Sequence, residues 1–352
     1  MKQLTKYFKT YCLRLDIQCP DELNEPYHPS VLYFEEGWAG HQYWMAQSPF
    51  PLRPPKYRDS YENPCIYYSD DGVHFTTIDD NPIDKLTEEQ LAGKCYFSDP
   101  QLVMRDGVLE CFYRFSRYKD GVQYNHLYKK QSTDGIHWGE REVVIILDDE
   151  TKQIWGDNII SQSIIWSPEN GYECWYVDKS NWYQDRHLRY ISSNDGKQWN
   201  QSVVCALIGI DTIPWHLHVD KDGDMYRMIM YDMSRDSLDL YLSKDKTNYI
   251  FQKVIWKPSR RVGDFYSNGL YRSCWVKAKN HYNIYFSASN LLETSIGLLQ
   301  TDDWSHFQLV NGGSSWQKLF YLLRTFLMTS IRAIRNRIRK LYFFQFFQPI
   351  NK

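Results

Sequence analysis

The chain has 352 residues, with 41 Lys plus Arg against 43 Asp plus Glu, 43% hydrophobic residues, 13 Trp, 28 Tyr and 17 Phe. That composition excludes disordered, collagenous and low-complexity classes, and its aromatic load favours strands and one large all-β unit. The last acid is Asp303, and eight basic residues follow it, so residues 1–303 hold 33 basic against 43 acidic side chains and do not suit a nucleic-acid partner.

Residues 1–24 form an N-terminal segment that is basic but has no apolar core of the length a secretory signal needs. Nor does any run of about 18 apolar residues suggest a bilayer-spanning helix. The cysteines, Cys12, Cys19, Cys65, Cys95, Cys111, Cys174, Cys205 and Cys274, include no C-x-x-C pair. They read as free thiols in a reducing, cytoplasmic protein.

From residue 25 to 312 the chain repeats itself five times. Each unit opens with an extended run: His28-Pro-Ser-Val-Leu-Tyr-Phe, Asp99-Pro-Gln-Leu-Val-Met, Ser161-Gln-Ser-Ile-Ile-Trp, Pro214-Trp-His-Leu-His-Val and Tyr271-Arg-Ser-Cys-Trp-Val. An aromatic strand follows in every unit, as in Tyr43-Trp-Met-Ala and Phe112-Tyr-Arg-Phe. A third strand then ends on a box with Ser or Thr, Asp two residues later and an aromatic four after that. The boxes start at Ser69, Ser132, Ser193, Ser243 and Thr301, and the first three place Gly after the Asp, the residue pair of a tight turn. Spacings of 63, 61, 50 and 58 residues leave room for four short strands per unit. Five such sheets, none able to bury both faces alone, predict an all-β, five-bladed β-propeller.

Beyond the repeat, residues 313–352 form a tail in which Phe320, Leu323, Leu327, Ile331, Ile334, Ile338 and Leu341 recur at helical spacing between arginines. The pattern predicts a C-terminal basic amphipathic α-helix. Across 314–347 it would suit an anionic membrane surface, making the protein peripheral on the inner face, and a protein partner is the other use of such a helix.

The boxes, together with Ser98-Asp99-Pro100 and the Glu-Cys pairs at Glu110 and Glu173, resemble the five-bladed propeller glycoside hydrolases, the superfamily of arabinanases, xylosidases and invertases. The stretch from His28 through Gly37-Trp38 and Tyr43-Trp44-Met45-Ala46 to Glu62-Asn63-Pro64 also looks like a group of uncharacterised bacterial propeller proteins. The first resemblance implies a carbohydrate ligand at the mouth of a central funnel, with the starts of the innermost strands pointing into it. It also implies two carboxyl groups flanking the scissile bond.

Asp99 takes one of these places. The resemblance implies a second Asp in the first blade, where this chain has His28, so the second acid is sought among Asp157, Glu173 and Asp178. Substrate contacts are expected from His28, Trp38, Arg114, Asp178, Trp215, His216, His218 and Arg272. The alternation in Trp215-His216-Leu217-His218 puts both imidazoles on one face of a strand. His28, His216 and an acid could ligate a metal, yet without H-x-x-x-H or a Cys pair sugar-hydroxyl recognition is the preferred reading, and no cofactor is expected. Trp38, Trp155 and Trp215 offer flat faces for sugar rings.

The resulting expectation is a glycoside hydrolase-like enzyme working on glycosidic bonds in the funnel, in cell-surface polysaccharide metabolism. A membrane-associated glycosyltransferase or transglycosidase acting on a lipid-linked glycan is one alternative, and a non-catalytic sugar-binding propeller is another.

Overall fold

The computed structural model describes residues 13–20, 24–52, 62–119, 122–179, 186–261, 264–291, 293–313 and 327. The predicted tail helix therefore lies outside the described residues, apart from Leu327. Among the described residues no helix is long and apolar enough to cross a membrane.

Five sheets, antiparallel apart from one short strand in the fourth, follow one another along the chain. The first is β1 (Pro26–Trp38), β2 (His41–Pro49), β3 (Cys65–Ser69) and β4 (Thr76–Thr77). A short helix, α1 (Glu88–Ala92), leads into β5 (Tyr96–Arg105), β6 (Val108–Lys119), β7 (Val122–Ser132) and β8 (Glu142–Ile145). After α2 (Lys152–Trp155) come β9 (Ile160–Ser167), β10 (Gly171–Lys179), β11 (Arg186–Ser193) and β12 (Val203–Val204). The fourth sheet adds β13 (Ala206–Ile208), parallel to the outer strand, to β14 (Pro214–Asp222), β15 (Met225–Asp232), β16 (Ser237–Ser243) and β17 (Asn248–Trp256). The fifth is β18 (Gly269–Ala278), β19 (His281–Ser289), β20 (Thr294–Thr301) and β21 (Gln308–Leu309). This is the predicted five-bladed propeller.

Why the second strand of every blade is aromatic follows from its position. It is sandwiched between two neighbouring blades, so both faces are buried, and alternate residues serve opposite seams. On β2, Tyr43 and Met45 pack toward the fifth blade with Cys274 and Tyr285. Trp44 and Ala46 pack toward the second blade with Leu102, Leu109 and Tyr113. Three further clusters fill the remaining seams. Each fully buried apolar side chain contributes roughly 1.5–3 kcal/mol.

The boxes fasten blade to blade. In the second, Ser132 Oγ accepts from Gly135 N at 2.8 Å, and Asp134 Oδ1 accepts from Ile136 N at 2.9 Å and His137 N at 2.8 Å. His137 Nδ1 sits 2.7 Å from Asp134 Oδ2 on the surface, so the box accounts for this histidine as it does for His74 and His306. Gly135 has φ +77°, and a Cβ there would stand 2.2 Å from the Trp44 ring of the preceding blade. Two boxes manage without glycine: Lys246 (φ 75°) and Trp304 (φ 58°) hold the left-handed position.

Ring closure uses the segment ahead of β1. Leu15 N donates to Ile296 O on β20 at 2.9 Å, while Leu15 and Ile17 are buried in the seam between the fifth and first blades. Arg14 reinforces the join through Glu293 at 3.5 Å. The described cysteines are all free thiols, and Cys65, Cys111, Cys174, Cys205 and Cys274 are buried.

Candidate functional site

One local irregularity builds the site. Every innermost strand slips register near its start, between Tyr27 and Ser30, Ser98 and Gln101, Pro214 and His216, and Leu270 and Ser273; in β9 the slip falls opposite Trp175 and Val177. A bulge bends the strand and re-aims side chains. In three blades it places a non-glycine residue in the left-handed region: His28 at φ 51°, Asp99 at 55° and Ser161 at 52°. Such conformations cost on the order of 1–3 kcal/mol each and persist only where the surroundings enforce them. Here all three converge on the axis.

Asp99 is fully buried at the floor. Its Oδ2 accepts from Arg114 Nε at 3.0 Å and from Ser161 N at 3.3 Å. Its Oδ1 lies 3.6 Å from Arg272 Nη1 and 3.7 Å from His216 Nδ1 without a hydrogen bond. Burial opposes ionisation of this carboxyl, but its neighbours, Arg114 foremost, hold it well below the usual carboxylate range. Arg272 lies beneath, its Nη2 donating to Gln101 Oε1 at 2.9 Å and Gln162 O at 3.0 Å.

His28 and His216 flank the carboxylate with ring centroids 5.7 Å apart. His28 Nδ1 pairs with Ser48 Oγ and His216 Nδ1 with Ser161 Oγ, each at 2.8 Å. Burial pushes His28 down to about 3 and His216 well below its ordinary value, so both rings are neutral. One donor atom from each of His28, Asp99 and His216 lies within 4.8 Å of the others. Two neutral imidazoles and a carboxylate are a donor set that first-row divalent cations accept. His216 Nε2, like Asp99 Oδ1, is buried without a hydrogen-bond partner. The residues fit a metal ion.

Above this floor opens a cavity of about 310 Å³ walled by His28, His216, Arg114, Trp215 and Tyr271. Glu62, Tyr96, Ser98, Gln123 and Lys179 complete its polar lining. Trp215 Nε1 donates to Tyr271 Oη at 2.6 Å, which fixes the indole at the wall.

Sequence reasoning thus names six residues that the fold brings together: His28, Asp99, Arg114, Trp215, His216 and Arg272. It also names six that stand elsewhere, among them Trp155, which packs in the seam between the second and third blades and donates to Asn200 O at 3.2 Å. Asp157 is exposed, and its backbone N–H donates to Asp178 Oδ1 at 2.9 Å. Asp178 is turned to cap this loop and to pair with Arg189 at 2.7 Å, while the next residue, Lys179, faces the cavity. Glu173 is buried in the seam between the third and fourth blades, held by Lys246 at 2.6 Å and the Tyr190 and Tyr226 hydroxyls. Trp38 ends β1, at the far end of the strand from His28, and donates to Gly107 O. His218 points into the next seam and accepts from Trp275 N at 3.2 Å. Both strand register and local acceptors account for these placements. Glu62 was missed, because its loop carries no repeat signal, and it stands in the left-handed region at φ 53°.

No family model matches the sequence. A curated relative, an A type blood N-acetyl-α-D-galactosamine deacetylase of Flavonifractor plautii, is 23% identical over 282 residues, covering 66% of this chain. The match takes in 34% of that protein, so the chain spans about a third of its length. Among solved structures, an N-acetylgalactosamine deacetylase from F. plautii in complex with blood group B trisaccharide superposes with a TM-score of 0.71 at 19% identity, covering 82% of this chain and 94% of that one. The fold is that of the five-bladed propeller glycoside hydrolases. A β-xylosidase, RS223, shares it at a TM-score of 0.57 and 9% identity, covering 82% and 97% of the two chains. So does a member of a mannoside phosphorylase family containing hydrolases of β-1,2 mannosidic linkages, at 0.52 and 15%, covering 75% and 83%.

Proposed function

We propose that the protein is a carbohydrate-active hydrolase that removes an acyl group from a sugar held in the funnel, as a metal-assisted deacetylase. The observation that carries this reading is the buried His28, Asp99 and His216 cluster, with Asp99 Oδ1 and His216 Nε2 lacking partners. An ionised carboxylate could serve glycosidic cleavage as base or nucleophile only from the cavity lining, and Asp99 is held ionised beneath the cavity rather than on it. The relative's deacetylase activity supports the same reading.

In this scheme Trp215 and Tyr271 seat the sugar. Ser48 Oγ and Ser161 Oγ accept hydrogen bonds from the Nδ1–H groups of His28 and His216, leaving the Nε2 lone pairs free to bind a cation. Arg114 keeps Asp99 charged. A divalent cation bound by His28, Asp99 and His216 would polarise the acyl carbonyl and acidify a water. Glu62, on the lining, accepts the proton of the attacking water and returns it to the departing amine or alcohol.

Acetate release from N-acetylhexosaminides and acetylated sugars, measured before and after chelation and with divalent metal restored, tests the proposal. Chelator-sensitive acetate release supports it. Release of reducing sugar with no acetate would replace it with glycosidic cleavage. Residues 314–347 would hold the enzyme at an anionic membrane surface near lipid-linked glycans, a reading supported by eight basic residues after the last acid.

A further inference from the structure

We propose that Tyr271 is a catalytic residue of the deacetylation, its phenol hydroxyl donating a hydrogen bond to the acyl oxygen as charge gathers there. The inference rests on the deacetylase reading and adds a protein donor for the oxyanion.

The register slip of β18, between Leu270 and Ser273, takes in both Tyr271 and Arg272. Arg272 is buried at the floor, whereas Tyr271 stands on the wall of the cavity. The Tyr271 ring centroid lies 3.9 Å from that of His216 and 5.6 Å from that of His28, the two imidazoles that would hold the cation. Tyr27 stacks on the same ring, with centroids 5.3 Å and planes 21° apart, and the Tyr231 ring lies at 5.9 Å. A ring so packed is fixed before substrate arrives, and a donor that is already oriented loses nothing to reorganisation when charge develops.

The hydroxyl is set up as a donor. Its oxygen accepts from Trp215 Nε1 at 2.6 Å, and among the described residues that is the one hydrogen bond it makes. The phenol proton is thus left without an acceptor on the wall of an open cavity. A hydrogen bond accepted by a hydroxyl polarises it and strengthens the one it donates. A phenol ordinarily keeps its proton to about 10, and burial pushes Tyr271 higher still, so the donor is present at neutral pH. Attack by water forms the new C–O bond and moves the carbonyl pair onto oxygen, where the Tyr271 O–H meets it. As that pair returns, the bond to the sugar breaks and the proton taken up by Glu62 passes to the departing amine or alcohol. Tyr271 keeps its own proton throughout. Ser98 Oγ is also on the lining without a partner, and it provides the control.

Tyr271→Phe keeps the ring that seats the sugar and removes only the hydroxyl. On the acetylated sugar from which the wild type releases acetate, with divalent metal supplied, kcat should fall roughly 10²-fold while KM stays within a few-fold. Melting temperature and metal affinity should not change. A readout without turnover is calorimetry with the methylphosphonyl counterpart of that sugar, whose tetrahedral oxygens stand in for the oxyanion. The variant should bind this analogue about tenfold more weakly or worse, and bind the deacetylated sugar as the wild type does. A raised KM with kcat intact would make the hydroxyl an anchor for Trp215 and overturn the role. So would unchanged kcat and analogue affinity, or a large loss of kcat in Ser98→Ala with none in Tyr271→Phe. In each of these cases acetate release by the wild type leaves the deacetylase reading standing. A wild-type protein that releases no acetate overturns that reading and the role of Tyr271 with it.

Discussion

Arg114 Nε lies 3.0 Å from Asp99 Oδ2, and the two side chains are 8% and 0% exposed. A buried pair of this kind adds little net stability over an apolar pair, but removing one partner strands the other. Asp99→Asn should therefore destabilise the fold by about 3 kcal/mol, with Arg114 and Arg272 both left beside a neutral amide. The double variant Asp99→Asn, Arg114→Met should recover part of that loss in urea melts. An Asp99→Asn protein as stable as the wild type would show that the pair is not the floor's organising charge.

Deacetylation should depend on Glu62. Replacing it with Gln keeps its shape and removes the base, so kcat should fall by roughly 10²-fold or more while sugar affinity stays within a few-fold. An equal fall in affinity with kcat intact would make Glu62 a binding residue instead.

His126 gives a pH signature. It is buried and accepts from Leu147 N at 3.1 Å, and burial, helped by Arg117, pushes it down to about 4. The unfolded chain binds this proton below about 6.5, and the folded protein does not until about 4. Stability from this group is thus complete above 6.5 and is lost as pH falls toward 4, with a slope of up to about 1.4 kcal/mol per pH unit. His126→Asn keeps an acceptor near Nδ1 and should flatten the curve in this window. An unchanged slope would assign the effect to other groups.

Two glycines with similar backbones should respond differently to alanine. Gly135 has φ +77° with a would-be Cβ 2.2 Å from Trp44, whereas Gly40 has φ +88° with nothing within 4 Å. Gly40→Ala should cost only the backbone term of roughly 1 kcal/mol. Gly135→Ala must also displace a fully buried tryptophan, so a loss of about 3 kcal/mol or more is expected from thermal or urea melts. Similar losses at both sites would mean that the box does not wedge the seam.

Removing 314–352 should abolish partition onto vesicles rich in anionic lipid and leave the propeller's melting temperature unchanged. Binding that persists in the truncated protein would reject the tail as an anchor.

Much of this molecule is written locally. Five box turns, five extended runs and five aromatic strands lie in one reading direction, because a blade is a short-range structure whose strands pair with their sequence neighbours. Asp99, His28, His216, Arg114 and Arg272 were legible for the same reason, since each holds a fixed phase of the repeat. What the tertiary structure alone decided is which of the equivalent-looking groups face the axis. Asp178 and Lys179 are adjacent on β10, yet one caps a loop and the other lines the cavity. Glu173 is bound by a lysine from the next blade, Lys246, far away in sequence. Glu62 reaches the cavity from a loop outside the repeat. Such choices depend on which blade stands beside which, and on left-handed bulges enforced by the closed ring, and neither is encoded in a residue's own neighbourhood.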